Sequence, residues 1–520
     1  MKKTLTLALA LIYVLFVLTG CTGAPAPTKT DAPAAAVTEA HAASTSGPKD
    51  TLVFGNTFEP TSFDAQLAGA GTPVWLVKNI NDTLVDFDDT GKIVGNLADS
   101  WEISPDGLVY TFKLKQGVTW HNGEPFKAAD VKYSIERAKE LPHMKTKTSM
   151  IDSVEAPSDD VVIVKLSGPY APYLAQVAWL FILNEKAVTE AGDDYGVKPV
   201  GTGPYMLKEW VSGNKVILTA FDKYHKTVPA IKNIEIRTVV DMNTRAASVE
   251  SGELDMTLNV GALDVDNLLL NDNLEVLTGN TIYYWYFLMN TKTAPFDNVK
   301  VRQAIAYGIN RETVNLAAND GKGLVAMSPL TPISFGYSDK IKPYEYNVDK
   351  AKALLQEAGV AEGTKIELTC SEGHTKMAAE AIQADLKKIG LDVSIKVVEW
   401  GTMLSEATKG NFQATITGWG DLSNDADGVL RTLYASANAG PAGNYGSYSN
   451  PEYDKLVEAA KVEQDQAKRA DMYFQAQEIL YTDYPAVGLY FGPNNLVYQK
   501  GIKGAKLSPS NAVYFADLSY

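Results

Sequence analysis

Cysteine and histidine are scarce in this chain. Its 520 residues include two cysteines, Cys21 and Cys370, and five histidines, which are widely separated. A disulfide framework is therefore excluded, and no H-E-x-x-H or C-x-x-C spacing predicts a metal site. Nucleophile-elbow and phosphate-loop motifs are missing too, so we expect no metal, no cofactor and no catalytic residues. Because catalytic triads need not be local in sequence, a lipid-anchored hydrolase is the alternative of a different class.

Positive charge and long apolar runs are also limited. The chain has 47 Lys and Arg against 62 Asp and Glu, a formal net charge of −15. Such an acidic surface repels phosphate backbones, which argues against nucleic acid as a partner. From Thr51 onward no apolar run reaches the roughly 20 residues that a membrane-spanning helix needs. The length of this part predicts about two or three packed lobes.

The one extended apolar run lies at the N-terminus. Lys2 and Lys3 precede the uncharged residues 4–18, a pattern typical of an export signal. The run ends in Leu-Thr-Gly-Cys at 18–21, which resembles the lipobox of bacterial lipoproteins, where the cysteine is diacylated and becomes the new N-terminus. We expect residues 1–20 to be a signal peptide and Cys21 to carry lipid. An ordinary signal peptide with a chance cysteine is the alternative.

Residues 21–50 are rich in Ala, Pro, Thr and Ser and have almost no large apolar residues. Such a segment cannot bury enough surface to offset its ordering entropy, so we expect a disordered tether. A flexible chain of this length typically spans about 30 Å.

The rest of the chain mixes strand and helix patterns. Val109–Leu114 and Val161–Leu166 read as strands. The clearest unit is a strand at 365–370, a helix near 376–389 and a strand at 391–398, which predicts a right-handed β-α-β unit in a parallel sheet. Cys370 ends the first of these strands, where we expect a small buried residue. Alternation of this kind indicates α/β lobes with mixed sheets.

Several stretches together are similar to one known family. The most specific is residues 97–131, which begins Leu-Ala-Asp-Ser-Trp-Glu-Ile-Ser-Pro-Asp-Gly-Leu-Val-Tyr-Thr-Phe. The others, in chain order, are Pro199–Tyr205, Ser251–Asp255, Pro295–Ala304 and Pro451–Leu456. They resemble the family 5 extracellular solute-binding proteins, which include bacterial dipeptide-, oligopeptide- and nickel-binding proteins, and they extend over essentially the whole chain after residue 50.

The resemblance implies a two-lobed periplasmic-binding-protein clamp with an extra subdomain in the first lobe and a two-strand hinge. We assign lobe I to 51–288, with the subdomain at about 98–198, lobe II to 289–488, and a return to lobe I at 489–520. Apolar runs stand where the hinge strands are needed, at Tyr283–Met289 and Ala486–Phe491. The resemblance also implies a monomer that closes on a small solute and delivers it to the permease of an ABC transporter.

One loop is a candidate solute contact. In peptide-binding members a Gly-Trp is followed, three residues after the tryptophan, by an aspartate that pairs with the peptide ammonium. Here Gly418-Trp419 is followed by Asp421, one residue early, and Leu422 stands at the matching position. We expect Trp419 to line the cleft and Asp421 or Asp425 to touch solute, although an acidic loop is otherwise simply solvated. The departure at Leu422 weakens the case for plain dipeptide binding.

Two further places complete the candidate site. Tyr283 and Trp285 share one strand face and Tyr284 and Tyr286 the other, so one face packs in the hinge and one looks into the cleft, with the choice left open. The segment that contains Glu59 and Phe63 resembles the N-terminal loop beside the ligand in the family. Core or surface packing is the rival interpretation for each of these residues.

The cargo is the least determined feature. We expect a short peptide or peptide-like solute, with a nickel or other metal chelate as the first alternative and an opine, glutathione or a sugar after it. The leader and the resemblance together predict an exported, lipid-anchored protein on the extracytoplasmic side, in the periplasm or at the outer face of the cell membrane.

Overall fold

A computed structural model describes residues 49–67, 73–88 and 90–520. The predicted signal peptide, Cys21 and nearly all of the predicted tether lie outside these residues. Pro48–Tyr520 form one compact unit. Among the helices of the described residues, none is both long and apolar enough to span a bilayer.

Strands and helices alternate along the chain. The strands are β1 (Thr51–Asn56), β2 (Val85–Phe87), β3 (Ile93–Gly95), β4 (Ala98–Ile103), β5 (Val109–Leu114), β6 (Ile151–Ser158), β7 (Val161–Leu166), β8 (Tyr205–Val211), β9 (Lys215–Ala220), β10 (Asn233–Thr238), β11 (Met256–Leu258), β12 (Leu274–Met289), β13 (Leu324–Val325), β14 (Thr364–Cys370), β15 (Leu391–Val397), β16 (Ala414–Gly420) and β17 (Ala486–Gln499). The helices are α1 (Val74–Lys78), α2 (Ala128–Glu140), α3 (Lys145–Thr148), α4 (Tyr173–Val177), α5 (Glu185–Ala191), α6 (Met242–Glu250), α7 (Ala262–Leu268), α8 (Val299–Gly308), α9 (Arg311–Asn319), α10 (Val348–Glu357), α11 (His374–Lys388), α12 (Trp400–Thr408), α13 (Leu430–Tyr434), α14 (Pro451–Val462) and α15 (Gln466–Asp483).

The β-α-β unit expected from the sequence is confirmed. β14 and β15 pair in parallel from Thr364 opposite Leu391 to Cys370 opposite Val397, with α11 between them. Ile382 and Leu386 of α11 are fully buried. Gly390 lies between α11 and β15 at φ +91°, a conformation that glycine adopts without strain. Cys370 is free and buried.

Two long strands connect the halves of the molecule. β12 and β17 pair antiparallel from Leu274 opposite Gln499 to Leu288 opposite Ala486, near the middle of an 11-stranded mixed sheet. On one side of this pair the order continues β11-β1-β10-β9-β8, and on the other side β16-β14-β15. The two predicted hinge segments lie inside β12 and β17. The two-lobed α/β architecture with mixed sheets and a two-strand connection is confirmed.

Separate hydrophobic cores support the lobes. Leu52, Phe54 and Leu218 belong to the core of lobe I, and the four-stranded sheet β4-β5-β7-β6 packs around Trp120 in the extra subdomain. Lobe II has a core on each face of its sheet. The numerical lobe boundaries given above stay predictions.

The registers fix where the lobes meet. In lobe I, β1, β10 and β11 are parallel, and the last residue of β11, Leu258, lies opposite Leu496 of β17. In lobe II, β14 and β15 run parallel to β16, whose last residue, Gly420, lies opposite Tyr283 of β12. The carboxyl ends of both parallel sets therefore point to the same segment of the β12/β17 pair.

The first and last described residues of the chain lie near the amino end of β1. Lys49 forms an ion pair with Asp255, and the hydroxyl of Tyr520 donates a 3.0 Å hydrogen bond to the carbonyl oxygen of Thr51. Because the carboxyl end of β1 faces the meeting point of the lobes, this end lies away from it.

Gly201 and Gly203 allow a close approach of two backbones. A Cβ on Gly201 would overlap the carbonyl oxygen of Ile80, and a Cβ on Gly203 would lie 2.5 Å from the carbonyl carbon of Ile80. We expect Gly201→Ala to lower the free energy of unfolding by about 1–3 kcal/mol or more in urea denaturation. Gly168→Ala is the control, since its new Cβ would meet only Met150 at 3.8 Å. Equal stabilities of the two variants would contradict this expectation.

Candidate functional site

Large apolar side chains are exposed where the carboxyl ends of the parallel strands meet. In lobe I, the exposed residues that follow β1, β10 and β11 are Phe58, Val240, Met242 and Leu263. In lobe II, Met377 and Trp400 follow β14 and β15, Val397 is the last residue of β15, and Tyr283 lies on β12. Ligands of α/β folds bind at the carboxyl ends of parallel strands. Clustered exposed apolar side chains also mark interaction sites, so two independent arguments point to this place.

Four side chains form what we call the aromatic wall of lobe II: Tyr283, Trp285, His374 and Trp400. The ring centroids of Trp285 and His374 are 4.4 Å apart, and those of Trp285 and Trp400 are 5.8 Å apart, both pairs in edge-to-face geometry. His374 Nδ1 and the hydroxyl of Tyr490 are hydrogen-bonded at 2.8 Å. Burial lowers the pKa of His374, so the wall carries no imidazolium charge at neutral pH.

Glycine gives the wall its shape. A Cβ on Gly418 would lie 2.9 Å from the Trp285 ring, and a Cβ on Gly420 would lie 2.5 Å from the Tyr283 ring. The two rings therefore lie directly on the backbone of β16. Tyr284 and Tyr286, on the other face of β12, are buried in a core of lobe II. The Tyr284 face therefore packs inside lobe II, which leaves the Tyr283 face as the candidate for the cleft.

Asp421 begins the segment that we call the 421–428 loop. Ser423 Oγ donates a 2.5 Å hydrogen bond to Asp421 Oδ2, and the side chain packs against Gly428. No Lys or Arg of the residues that the structure describes forms a salt bridge with Asp421. Burial raises the pKa of its carboxyl to about 6. The loop thus holds a partly buried carboxylate without a compensating cation.

The two other carboxylates of the loop are already paired. Asp425 binds Arg469 through both oxygens, at 2.7 and 2.5 Å, and Asp427 binds Arg431 through both oxygens, at 2.7 and 2.8 Å. Asp425, Asp427 and Arg469 are buried. Since both oxygens of Asp425 are taken, we leave Asp425 out of the proposed solute contacts.

The remaining predicted residues are not brought together with the wall. Trp419 lies on the Tyr284 face of the sheet and donates a 3.0 Å hydrogen bond from Nε1 to the carbonyl oxygen of Gly428, so it braces the loop. Phe63 is fully buried and packs edge-to-face on Trp210, so we leave Phe63 out as well.

Glu59 has a role in local structure. It accepts hydrogen bonds from Trp210 Nε1, from the backbone N–H of Gly213 and from Thr238 Oγ1. Burial alone would favour its neutral form, but these hydrogen bonds outweigh that effect and lower its pKa. Glu59 thereby fixes the chain after β1 to its neighbours.

A cavity of about 740 Å³ lies between the lobes on the Ile282 side of β12. Residues of both lobes line it, including Lys78, Trp179, Ile282, Leu422 and Tyr514. Its buried lysine is already neutralised, because Lys78 Nζ lies 2.5 Å from Asp86 and 4.8 Å from the Trp179 ring centroid. The cavity and the aromatic wall are therefore two separate places for a small molecule.

Sequence reasoning missed His374 and Trp400. His374 is the first residue of α11, and Trp400 is the first residue of α12, so both closely follow the carboxyl end of a strand that the sequence predicted correctly. That position was the available signal. Within the described ranges, no group of three or more His, Cys, Asp or Glu side chains could hold a metal ion.

Comparison with known proteins agrees with this architecture. Residues 92–441 match the model of the bacterial extracellular solute-binding proteins, family 5. The dipeptide-binding protein of Escherichia coli (strain K12) is 30% identical over 504 residues, and the glutathione-binding protein GsiB of Pectobacterium atrosepticum is 33% identical over 485 residues. Each alignment covers 90% of this chain and 94% of the relative.

A solved structure gives the same result. The ABC transporter-associated periplasmic binding protein DppA from Helicobacter pylori, in complex with the peptide STSA, superposes with a TM-score of 0.77 at 32% sequence identity. The match covers 90% of this chain and 97% of that chain. The chain belongs to the bacterial extracellular solute-binding proteins of family 5.

Proposed function

We propose that the protein is the solute-binding component of an ABC importer and that it holds a short peptide or peptide-like solute against the aromatic wall. The observation that carries this proposal is the convergence of exposed apolar side chains from both lobes on the carboxyl ends of their parallel strands. Relatives named for dipeptide and glutathione binding, and a neighbour holding a peptide, support this solute class.

The wall suits such a solute chemically. Trp285 and Trp400 offer apolar area and ring faces for a peptide side chain, and an uncharged His374 neither repels nor attracts a charged terminus. Leu422 stands where the resemblance would place the partner of a peptide ammonium. We therefore propose a solute held mainly by ring contacts and backbone groups, with Asp421, which directly follows β16, as the candidate carboxylate for an amine.

The finer features belong to the same proposal. The protein is exported, carries lipid on Cys21, remains monomeric and delivers solute to a permease without catalysing a reaction. A metal chelate, an opine, glutathione or a sugar remains an alternative cargo, and native mass spectrometry of protein purified without refolding would identify the bound compound. Turnover of a peptide or ester panel that vanishes with one substitution would favour the hydrolase instead.

Trp400→Ala tests the aromatic wall. Because Trp400 is 38% exposed, its loss should cost less stability than the loss of a fully buried tryptophan. It should weaken binding of the best ligand in a panel of di- to tetrapeptides by at least about tenfold in calorimetry. Val211→Ala, at a side chain 39% exposed on β8, is the matched control and should leave affinity unchanged.

A second variant separates the wall from the cavity. Ile333 lines the cavity and is exposed, so Ile333→Trp should partly fill that space without touching the wall. Loss of peptide affinity in this variant, with normal affinity in Trp400→Ala, would move the solute site to the cavity.

Asp421→Asn tests the loop. The folded pKa of about 6 exceeds the ordinary 3.8, so the folded state binds this proton more tightly and loses stability as pH rises from 4 to 6. The asparagine variant should therefore be more stable at pH 7 by about 1–3 kcal/mol, a gain that disappears near pH 4.

The same variant reports on recognition. If Asp421 pairs with a solute amine, the affinity of the parent protein should rise with pH through about 6, and Asp421→Asn should lose both affinity and this dependence. Asp425 and Asp427, which lie in the same loop, are already paired with Arg469 and Arg431. An affinity unchanged within error would show that Asp421 is no solute contact.

Cys21→Ala tests the anchor. The variant should be unlipidated and should leave the membrane fraction, as measured by fractionation and by the mass of the mature N-terminus. An unchanged mass and location would contradict the lipobox interpretation.

A further inference from the structure

The 421–428 loop is held rigidly within lobe II. The pairs Asp425–Arg469 and Asp427–Arg431 fix its second half, and the indole of Trp419 bonds Gly428 across its base. The backbone N–H of Phe335 also donates a 2.8 Å hydrogen bond to the carbonyl oxygen of Asn424. The loop therefore needs no contact from lobe I to keep its shape.

The extra subdomain of lobe I nevertheless grips this loop. Trp179 Nε1 donates a 2.6 Å hydrogen bond to the carbonyl oxygen of Leu422, and the hydroxyl of Tyr170 donates a 3.2 Å hydrogen bond to Asp427 Oδ2. The side chain of Leu422 packs against the core of the subdomain. Next to these contacts, the N–H of Ala171 donates to the carbonyl oxygen of Lys461 at the end of α14, at 2.9 Å.

Both donors are buried where they bond. Trp179 and Tyr170 are each less than a tenth exposed, and Lys78 and Phe87 cover the Trp179 ring. Trp179 and Leu422 also line the cavity of about 740 Å³ between the lobes. The contact at this place therefore consists of a few directed hydrogen bonds and the packing of Leu422, and loss of a buried hydrogen bond costs stability.

We propose that Trp179 and Tyr170 are positioning residues that clasp the 421–428 loop and set the balance between the open and closed forms of the protein. If the lobes separate about β12 and β17, the bonds from Trp179 and Tyr170 must break while those inside lobe II persist. The clasp is one set of contacts that the closed form gains, beside the ion pair of Lys322 in lobe II with Asp266 in lobe I. It deepens the proposed function, because it names what holds the protein shut around its solute.

The clasp also connects to the solute site through the chain itself. Leu422, whose carbonyl oxygen accepts the hydrogen bond from Trp179, directly follows Asp421 and the end of β16. The Tyr283 and Trp285 rings of β12 lie on the backbone of β16. A solute that orders the end of β16 thereby orders the acceptor of the clasp. Solute binding at the aromatic wall and closure of the subdomain on the 421–428 loop are thereby coupled through Asp421 and Leu422.

The test measures closure without any solute. A body of residues 48–520 forms one compact unit, and its single cysteine, Cys370, is buried with a pKa raised to about 11, so it resists labelling. Dyes on Glu190→Cys in the subdomain and Lys409→Cys in lobe II, both exposed sites, report the closed fraction by single-molecule energy transfer.

Tyr170→Phe and Trp179→Phe remove one donor each and keep an aromatic ring. Each should lower the closed-to-open ratio about threefold to tenfold and speed dissociation of the best-binding panel peptide by a similar factor, with little change in association rate. Tyr195→Phe and Trp210→Phe are the controls, since their donors bond inside lobe I, to Val200 and Glu59.

The outcomes separate the clasp from the proposed function. An unchanged closed fraction in both clasp variants, or a lower melting temperature without a shift in that fraction, overturns the clasp even if peptides bind. A shifted closed fraction in solute-free protein supports the clasp even if no peptide of the panel binds, and that second result would count against the proposed solute class alone.

Discussion

The antiparallel pairing of β12 with β17 is the constraint on which the rest of the structure depends. These two strands are where the described body passes from one lobe to the other and back, and one ladder runs through both lobes from Leu274 to Leu288. Its register is irregular at two places, between Asn280 and Tyr284 and between Trp285 and Tyr286. Such irregularities bend strands, and here they coincide with the segment at which the carboxyl ends of the parallel strands meet. A shared sheet that is least regular at its centre gives two lobes that are joined firmly and can still change their angle.

Local sequence pattern predicts several of the strands and helices, but it does not predict which side chains contact one another. Val109–Leu114 and Val161–Leu166 are strands with the bounds that alternation predicted, and β14, α11 and β15 follow their periodicity. An acidic loop favours a solvated or solute-binding Asp425, because its partner, Arg469, is 44 residues away in sequence. The resemblance predicts Phe63 beside the ligand, and only the structure shows that its side chain also lies in the core of lobe I. Burial of a single side chain depends on tertiary neighbours, and no window of the sequence contains them.

The ion pairs of the 421–428 loop fix its conformation more than they add to the stability of the fold. Removing two charges from water costs several kcal/mol per ion, which a bidentate pair about offsets. What the pairs of Asp425 and Asp427 provide is a single geometry for a loop of eight residues that has little regular secondary structure of its own. Asp421, left without such a partner, is the exception. A carboxylate that the fold does not neutralise is a local cost to stability, and costs of this kind are found where a protein must respond to another molecule.

The position of the chain ends has a mechanical consequence. Thr51 begins β1 at the end that lies away from the meeting point of the lobes, and the hydroxyl of Tyr520 is hydrogen-bonded to Thr51. β1 is flanked by β10 along all six of its residues and by β11 on its other side, both in parallel register. A pull on the amino-terminal segment would load these ladders in shear, where many bonds must fail at once, and the force would spread into lobe I before it reached β12 and β17. A force applied at that end would thus leave the pairing of β12 with β17 undisturbed.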